Sequence, residues 1–381
     1  MKNPYNIGEV LFNKEVDGTS FTEELEVASG YYKLWVIAQG GNGGTGSGTS
    51  GYRGGAGSGG EFFGIVKLQE GKYKFQATPS NVMLVDPENI QAINSSKGST
   101  GETDYGEQGI QGYGGTVNII DSKYISIIRP FTMAGLGGIV RATSGVINQG
   151  YQFYEEVESF GQGANGSKYN STVHSPKNGI IKLVYIGNVP KLQENEVFFG
   201  AWGNQKENKS YILNFPEGIY KFRGISQGGY GGYNGNGYNI YYGGGGSSGY
   251  YYEAYFRLKG EYQIDISATI SFSKPGESNY FTLNKGNGGG YGTAKLHYAG
   301  GSAPTMTKGD NISEILEKEI TSTSQGGNGY TAGNLGIKIL GRECGSGENG
   351  VNGYAEKYVR YSIYGNSGFE FIYSGKSLPV E

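Results

Sequence analysis

Short apolar runs alternate along this chain with stretches in which glycine recurs every third residue. The runs from Tyr32 to Ala38 and from Gly179 to Ile186 are dense in aromatic and β-branched residues and read as strands. Ile65, Leu68, Tyr73 and Phe75 fall at the spacing of half-buried antiparallel strands interrupted by a turn. The glycine stretches keep a different beat. Gly48, Gly51, Gly54, Gly57 and Gly60 form one series, and Gly106, Gly109, Gly112 and Gly115 a second. Gly243, Gly246 and Gly249, then Gly286, Gly289 and Gly292, then Gly347, Gly350 and Gly353 form three more. A period of three belongs neither to a strand nor to an α-helix. It matches the extended left-handed polyproline-II helix, which has three residues per turn and no internal hydrogen bonds. Glycine at each turn leaves one face bare, so neighbouring helices can approach and exchange main-chain hydrogen bonds.

The pattern repeats. GYYKLWVIAQGGNGG from Gly30 aligns with GIYKFRGISQGGYGG from Gly218, and GEFFGIVKLQEGKYKF from Gly60 with GYYYEAYFRLKGEYQI from Gly249. GIIKLVY from Gly179 aligns with GFEFIYS from Gly368. An offset of about 188 residues held over three separated blocks points to two homologous halves, residues 1–190 and 194–381, divided near Val189 to Gln193. Each half is expected to open on a polar strand (Phe21 to Val27; Ser210 to Phe215) and turn at Gly30 or Gly218 into a strand that enters a glycine tract. It then returns as a hairpin turned at Glu70–Gly71 or Lys259–Gly260 and closes on a final strand. One helix is predicted, Asn311 to Ile320, with Ile312, Ile315, Leu316 and Ile320 as its apolar stripe and Asp310 or Asn311 as its cap. The predicted fold class is all-β: two homologous halves, each a small antiparallel sheet or sandwich carrying packed polyglycine helices.

Composition narrows the classes. Of 381 residues 72 are glycine, yet 33 are tyrosine and 17 phenylalanine, far too many aromatics for a disordered chain. Ten prolines and repeated breaks of the three-residue register exclude collagen. A net charge of −3 without long single-sign blocks argues against nucleic acid as a partner. No apolar stretch reaches membrane-spanning length, so no membrane insertion is expected, and the first residues lack the apolar core of a secretory signal. Ordering so much glycine is entropically expensive, so homo-oligomerisation or attachment to a larger fibre is expected to add stability.

Candidate chemistry is thin. Gly41, Gly43 and Gly46 match a dinucleotide-loop spacing, but no helix pattern follows and the match carries little in a chain this rich in glycine. Gly375, Lys376 and Ser377 resemble the end of a phosphate loop, but Glu370 stands where its first glycine belongs and Pro379 opposes a following helix. Two histidines, His174 and His297, and the single Cys344 make a metal cage or a triad improbable, so no cofactor and no catalytic residues are expected. Asp86, Glu88, Glu155, Glu156 and Glu158 are the acids available for a carboxylate-only hydrolase. The Asn-x-Ser/Thr triplets at Asn94, Asn165, Asn170, Asn208 and Asn311 are of the number such a composition produces by chance.

Tyrosine is the sharper signal. Tyr230, Tyr233, Tyr238, Tyr241 and Tyr242 crowd the first glycine tract of the second half, where rigid amphipathic rings on small-residue loops suit surface binding. Tyr250, Tyr252 and Phe256 precede or lie in a strand and are expected in the core. Arginine is scarce in the tracts, with Arg53 almost alone, which disfavours an RNA-binding or condensing reading.

The order of blocks resembles the glycine-rich domain of bacteriophage tail fibres and related adhesins. The match runs over Leu34 to Gly60, Gly60 to Thr78 and Gly179 to Gly187, with the counterparts in the second half; Pro79 to Ser96 and Tyr151 to Glu158 depart from it in not being glycine-rich. The resemblance implies a lattice of glycine helices held between strands, with loop tips that touch host-surface molecules. It implies a non-enzymatic virion protein whose partners are a host polysaccharide or outer-surface protein and other fibre or baseplate proteins. A bacterial extracellular or surface-filament protein, and a surface-glycan depolymerase, are the alternatives. The tyrosine-dense second half is the expected binding half and the first half the expected anchor.

Overall fold

A computed structural model describes residues 4–44, 55–101, 112–133, 135, 160–164, 175–203, 208–232, 244–290, 299–329, 331–340, 342–347 and 366–379. The protein is all-β, and its sheets are antiparallel. It divides into two units, Met1–Lys191 and Leu192–Glu381.

Unit 1 contains β1 (Val10–Val16), β2 (Phe21–Val27), β3 (Gly30–Ile37), β4 (Glu61–Leu68), β5 (Gly71–Ala77), β6 (Asn81–Val85), β7 (Gln91–Ser96), β8 (Val117–Ile119), β9 (Ile125–Met133) and β10 (Gly179–Gly187). They form two five-stranded sheets, β1-β10-β3-β4-β9 and β2-β5-β6-β7-β8. The sheets face one another through β3 and β10 on one side and β6 and β7 on the other. Alternation explains why: Tyr32, Leu34 and Val36 of β3 and Tyr73 and Phe75 of β5 are fully buried. The Phe12 and Phe75 rings stack at 4.1 Å, joining β1 to β5, and the Ser95 hydroxyl donates to the Val36 carbonyl at 2.6 Å.

Unit 2 contains β11 (Val197–Gly203), β12 (Lys209–Ile225), β13 (Tyr251–Ile266), β14 (Ile270–Ser273), β15 (Phe281–Leu283), β16 (Met306–Lys308), β17 (Leu316–Thr323), β18 (Lys338–Ile339), β19 (Arg342–Glu343) and β20 (Ser367–Tyr373). The main sheet runs β11-β20-β12-β13-β14-β15-β16, with β17 on the upper part of β13, and β18 and β19 pair separately. The long strands β12 and β13 do the work of two strands each. Their upper parts sit between β20 and β17, as β3 and β4 sit between β10 and β9. Their lower parts lead to β14, β15 and β16, as β2 and β5 lead to β6, β7 and β8. The core is aromatic: the ring of Phe222 lies 5.1 Å from those of Phe281 and Phe371, and all three are fully buried.

Two expectations are corrected. No hairpin turns at Glu70–Gly71 or Lys259–Gly260. In unit 1 the chain crosses there from one sheet to the other, because β4 finds its partners in β3 and β9 while β5 finds them in β2 and β6. In unit 2 β13 continues through Gly260, which is left-handed at φ +87°, and its partner β12 bulges between Phe215 and Gly218. Tyrosine hydroxyls fasten these corners to carbonyls four residues back: Tyr32 to Ala28 at 2.6 Å, Tyr73 to Gln69 at 2.9 Å, and Tyr220 to Pro216 at 2.8 Å. The predicted helix is also absent. Asp310–Glu314 is a short 3-10 turn without a side-chain cap, and Leu316–Thr323 is strand. The upper part of β13 offers an open edge, and pairing with it outweighs a local helical stripe that ends on the β-branched Ile320 and is followed by the β-branched Thr321 and Thr323.

The described parts of the glycine tracts are neither strand nor helix, and they are laced together by main-chain hydrogen bonds. In unit 1 Gly41 donates to Gly57 at 2.9 Å, Gly57 to Ser99 at 3.1 Å, Ser99 to Tyr113 at 2.9 Å and Ala164 to Gly41 at 2.9 Å. In unit 2 Gly229 donates to Ser247 at 2.8 Å, Ser247 to Asn287 at 2.9 Å, Gly301 to Gly245 at 2.7 Å and Gly327 to Gly301 at 2.9 Å. The backbones lie in direct contact: a Cβ on Gly57 would stand 1.7 Å from the Tyr113 carbonyl oxygen. Each bond contributes about 0.5–1.5 kcal/mol, which offsets part of the entropy lost on ordering glycine.

Candidate interaction surface

Of the five tyrosines singled out in the sequence, Tyr230 lies among the described residues; Tyr233, Tyr238, Tyr241 and Tyr242 lie outside them. Tyr230 is 43% exposed. Its carbonyl accepts from Gly289 at 2.9 Å, and its ring rests against Gly288, where a Cβ would come within 2.6 Å of Cε2. The ring is thus held by a bare stretch of backbone while part of it meets solvent.

The glycines that flank the tyrosine-rich stretch are bonded to one another. Gly232 donates to Gly244 at 2.7 Å, Gly244 to Gly290 at 2.9 Å, and Gly290 to Ala299 at 3.2 Å. Residues 233–243 and residues 291–298 therefore both begin and end on one row of cross-bonded main chain. The turn in which Asn328 and Thr331 exchange hydrogen bonds of 2.9 and 3.0 Å adjoins the same place, because Gly245 donates to Gly329 at 2.7 Å. Unit 1 has a similar row: Gly101 donates to Asn42 at 3.0 Å, Gly112 to Gly55 at 2.8 Å and Ala56 to Ala164 at 2.9 Å. Those residues flank 45–54, 102–111 and 165–174. The half-exposed Tyr113 stands beside them.

Tyr252 and Phe256 are fully buried, as expected for the core, whereas Tyr250, expected there too, lies just before the strand and is half-buried. Tyr32, Tyr73 and Tyr220 are spent on corners, a use that sequence reasoning missed; the signal was a tyrosine two places after Gly30, Gly71 and Gly218.

The acids considered for catalysis are placed otherwise. Asp86 is buried, its carboxylate accepting the N–H groups of Glu88 and Ile90, each at 2.9 Å, and the Ser122 hydroxyl at 2.5 Å. It staples the loop between β6 and β7. Glu88 pairs with Lys123 at the surface. Glu155, Glu156, Glu158, His174 and His297 lie outside the described residues. Cys344 is buried. Among the described residues no three His, Cys, Asp or Glu side chains are grouped to hold a metal ion. Gly375 follows β20 with φ +99° and its carbonyl accepts from Ile219 at 2.8 Å; Gly375, Lys376 and Ser377 lie after the strand, with no helix behind them among the described residues.

A cluster of four charged side chains lies on the outer face of unit 2. Glu370, Arg223 and Glu253 stand in register on β20, β12 and β13. Arg223 Nη1 donates to Glu370 Oε1 at 2.5 Å, and Nε lies 3.4 Å from the Tyr251 hydroxyl. Tyr251 donates to Glu253 Oε2 at 2.5 Å, and Lys221 meets Glu253 Oε1 at 2.5 Å. Burial pushes the Glu370 carboxyl above its ordinary value, against the pull of Arg223. Burial, and then the bond to Glu253, push the Tyr251 phenol up to about 12. Glu253 is also penalised by burial, but Lys221 and Tyr251 outweigh it and hold the carboxyl below its ordinary value. The charges neutralise one another, and the row is a clasp between three strands. No family model matches the chain, and no curated protein matches it.

Proposed function

We propose that this protein is a non-enzymatic virion structural protein of the tail-fibre or receptor-binding type, which recognises a host-surface polysaccharide or outer-surface protein. Two duplicated halves each pack strands beneath a lattice of polyglycine-type helices, and the tyrosine-rich binding segments are continuous in sequence with that lattice. The observation that carries this reading is the row Gly232, Gly244, Gly290 and Ala299, which gathers the ends of residues 233–243 and 291–298 at one place. These segments contribute Tyr233, Tyr238, Tyr241, Tyr242, Tyr291 and Tyr298. Rings on such segments give contact area at low entropic cost, and flat rings stack on sugars. The shared pairing order of the units supports the duplication. The same lattice would serve a bacterial surface filament, so location separates the two readings.

The test replaces Tyr230, Tyr233, Tyr238, Tyr241 and Tyr242 by alanine in the full chain and measures adsorption to a panel of bacterial cells and their extracted polysaccharides. Adsorption falls at least tenfold in the variant, no saccharide is released by either protein, and antibodies to the chain decorate virions. Unimpaired adsorption, or release of oligosaccharide products, overturns the reading.

A further inference from the structure

We propose, resting on the adsorbing role of this chain, that the open side of the Tyr230 ring is a stacking subsite for one pyranose ring of a surface polysaccharide, with Gly288 as the seat of the ring. A Cβ on Gly288 would stand 2.6 Å from ring Cε2, 2.9 Å from Cζ and 3.0 Å from Cδ2. The two atoms that flank Cε2 are scarcely farther off than Cε2 itself, so that point lies over the face of the ring and not beyond its rim. Gly288 therefore lies against one face, and the 43% exposure of Tyr230 falls on the other face and the rim. The main chain that carries ring and seat is fixed: Gly289 donates to the Tyr230 carbonyl at 2.9 Å and Gly286 to the Gln227 carbonyl at 2.7 Å. A flat ring held in this way loses little freedom when a ligand covers it.

Unit 1 shows that the ring and its bare seat go together. Three main-chain bonds recur in the two lattices and fix which residues correspond. Gly98 donates to Gln39 at 3.1 Å as Gly286 does to Gln227, and Gly57 donates to Ser99 at 3.1 Å as Ser247 does to Asn287 at 2.9 Å. Gly101 donates to Asn42 at 3.0 Å as Gly289 does to Tyr230. Asn42 thus stands in unit 1 where Tyr230 stands in unit 2, and Thr100 where Gly288 stands. A threonine Cβ would fill the place of the ring, and unit 1 carries no ring there. The same bonds form with either pair, so the lattice does not need the tyrosine. The chemistry beside the platform selects its ligand. The chain neighbours of Tyr230 and Gly288 are Gly229, Gly231, Asn287 and Gly289, with no apolar side chain among them. Asn287 is exposed, and its Nδ2 donates to the Ser302 carbonyl at 2.9 Å and to Ser302 Oγ at 3.2 Å. The carboxamide is held by these bonds, with Oδ1 left as an acceptor. A protein ligand would look for pockets that take its anchoring side chains. A pyranose instead offers C–H groups to the ring face and hydroxyls to the amide.

The experiment measures binding of the full chain to polysaccharide extracted from a strain to which the wild type adsorbs, with Tyr230→Asn, Gly288→Thr and Tyr230→Phe compared. Affinity falls about tenfold for Tyr230→Asn and for Gly288→Thr, and their combination falls no further, because each removes the same platform. Tyr230→Phe stays within about twofold, because the ring face is kept. Periodate, which opens pyranose rings that carry adjacent hydroxyls, abolishes wild-type binding, whereas protease treatment of the cells leaves adsorption intact. Asparagine and threonine already stand at these places in unit 1, so the variants keep the wild-type urea midpoint, measured alongside. Unchanged affinity in Tyr230→Asn overturns the subsite, as does a loss in Tyr230→Phe equal to that in Tyr230→Asn. Adsorption that protease abolishes and periodate spares assigns the ring to a protein ligand and overturns it too. If the five-tyrosine variant loses adsorption while Tyr230→Asn keeps it, the subsite alone fails. A wild type that adsorbs to no cell and no polysaccharide overturns the adsorbing role, and the subsite with it.

Discussion

The outer faces of the two units solve one problem in opposite ways. In unit 1 Lys182, Trp35 and Phe63 stand in register across β10, β3 and β4; in unit 2 Glu370, Arg223 and Glu253 stand in register across β20, β12 and β13. The first row is aromatic. Trp35 and Phe63 stack at 4.7 Å, Phe131 follows at 4.8 Å, and the Lys182 ammonium lies 4.9 Å over the Trp35 ring. The second row is ionic, with the Glu370 carboxylate buried. Strand order is the same, so it does not depend on the chemistry of this face. It depends on the inner positions, apolar in both units: Tyr32, Leu34 and Val36 in one, Tyr220 and Phe222 in the other.

The deepest cut at this comparison is Phe222→Ala, which empties the inner face of unit 2. It should lower the stability of that unit by about 3–5 kcal/mol. Urea unfolding read by Trp202 fluorescence checks it in a Trp35→Phe background, since the chain has two tryptophans, one per unit. A loss under about 1 kcal/mol would show that the inner face does not set the fold.

Arg223→Met tests the outer face. Removing one partner leaves Glu370 buried and uncompensated, for a loss of about 3 kcal/mol. The double change Arg223→Met with Glu370→Met should recover most of it, imitating the apolar solution of unit 1. If the double variant stays as unstable as the single one, the ionic row is required by the strand plan. The same carboxylate gives a pH signature. Burial raises the Glu370 pKa in the folded unit, so the folded state binds the proton more tightly than the unfolded chain. Its contribution is therefore most favourable at acid pH and declines as pH rises from the ordinary glutamate range through the raised value. Glu370→Gln should remove that slope from a plot of unfolding free energy against pH.

The smallest effects separate two kinds of glycine. At Gly57 a methyl group meets main chain, with the Tyr113 carbonyl oxygen 1.7 Å away, and Gly57→Ala should cost about 1–3 kcal/mol or more. At Gly288 the three atoms nearest to it all belong to the Tyr230 ring, which can swing away. Gly288→Ala should stay within about 0.5 kcal/mol and move the Tyr230 environment, visible in its ring NMR signals. Equal losses at both positions would remove the distinction between lattice glycines and those that merely support a side chain.

The sequence by itself determined where strands fall and where main chain must run bare. The apolar run from Leu34 to Ile37 and dense glycine around Gly57 and Gly246 are local facts with one physical reading each: a strand buried on both faces, and a backbone that approaches another closely. It marked Tyr252 and Phe256 as core for the same reason. Tertiary structure decided what local pattern leaves open. Whether the chain folds back at Gly71 or crosses to a second sheet depends on which edges β2 and β6 present to β5. Leu316–Thr323 became a strand because β13 had an unfilled edge, a demand that no helical stripe records. Glu370 reads in sequence as one more strand carboxylate; only the approach of Arg223, 147 residues away, and of the Leu340 N–H makes it a buried clasp. Partners so distant along the chain leave no local trace, because pairing and burial are energies of the assembled sheet.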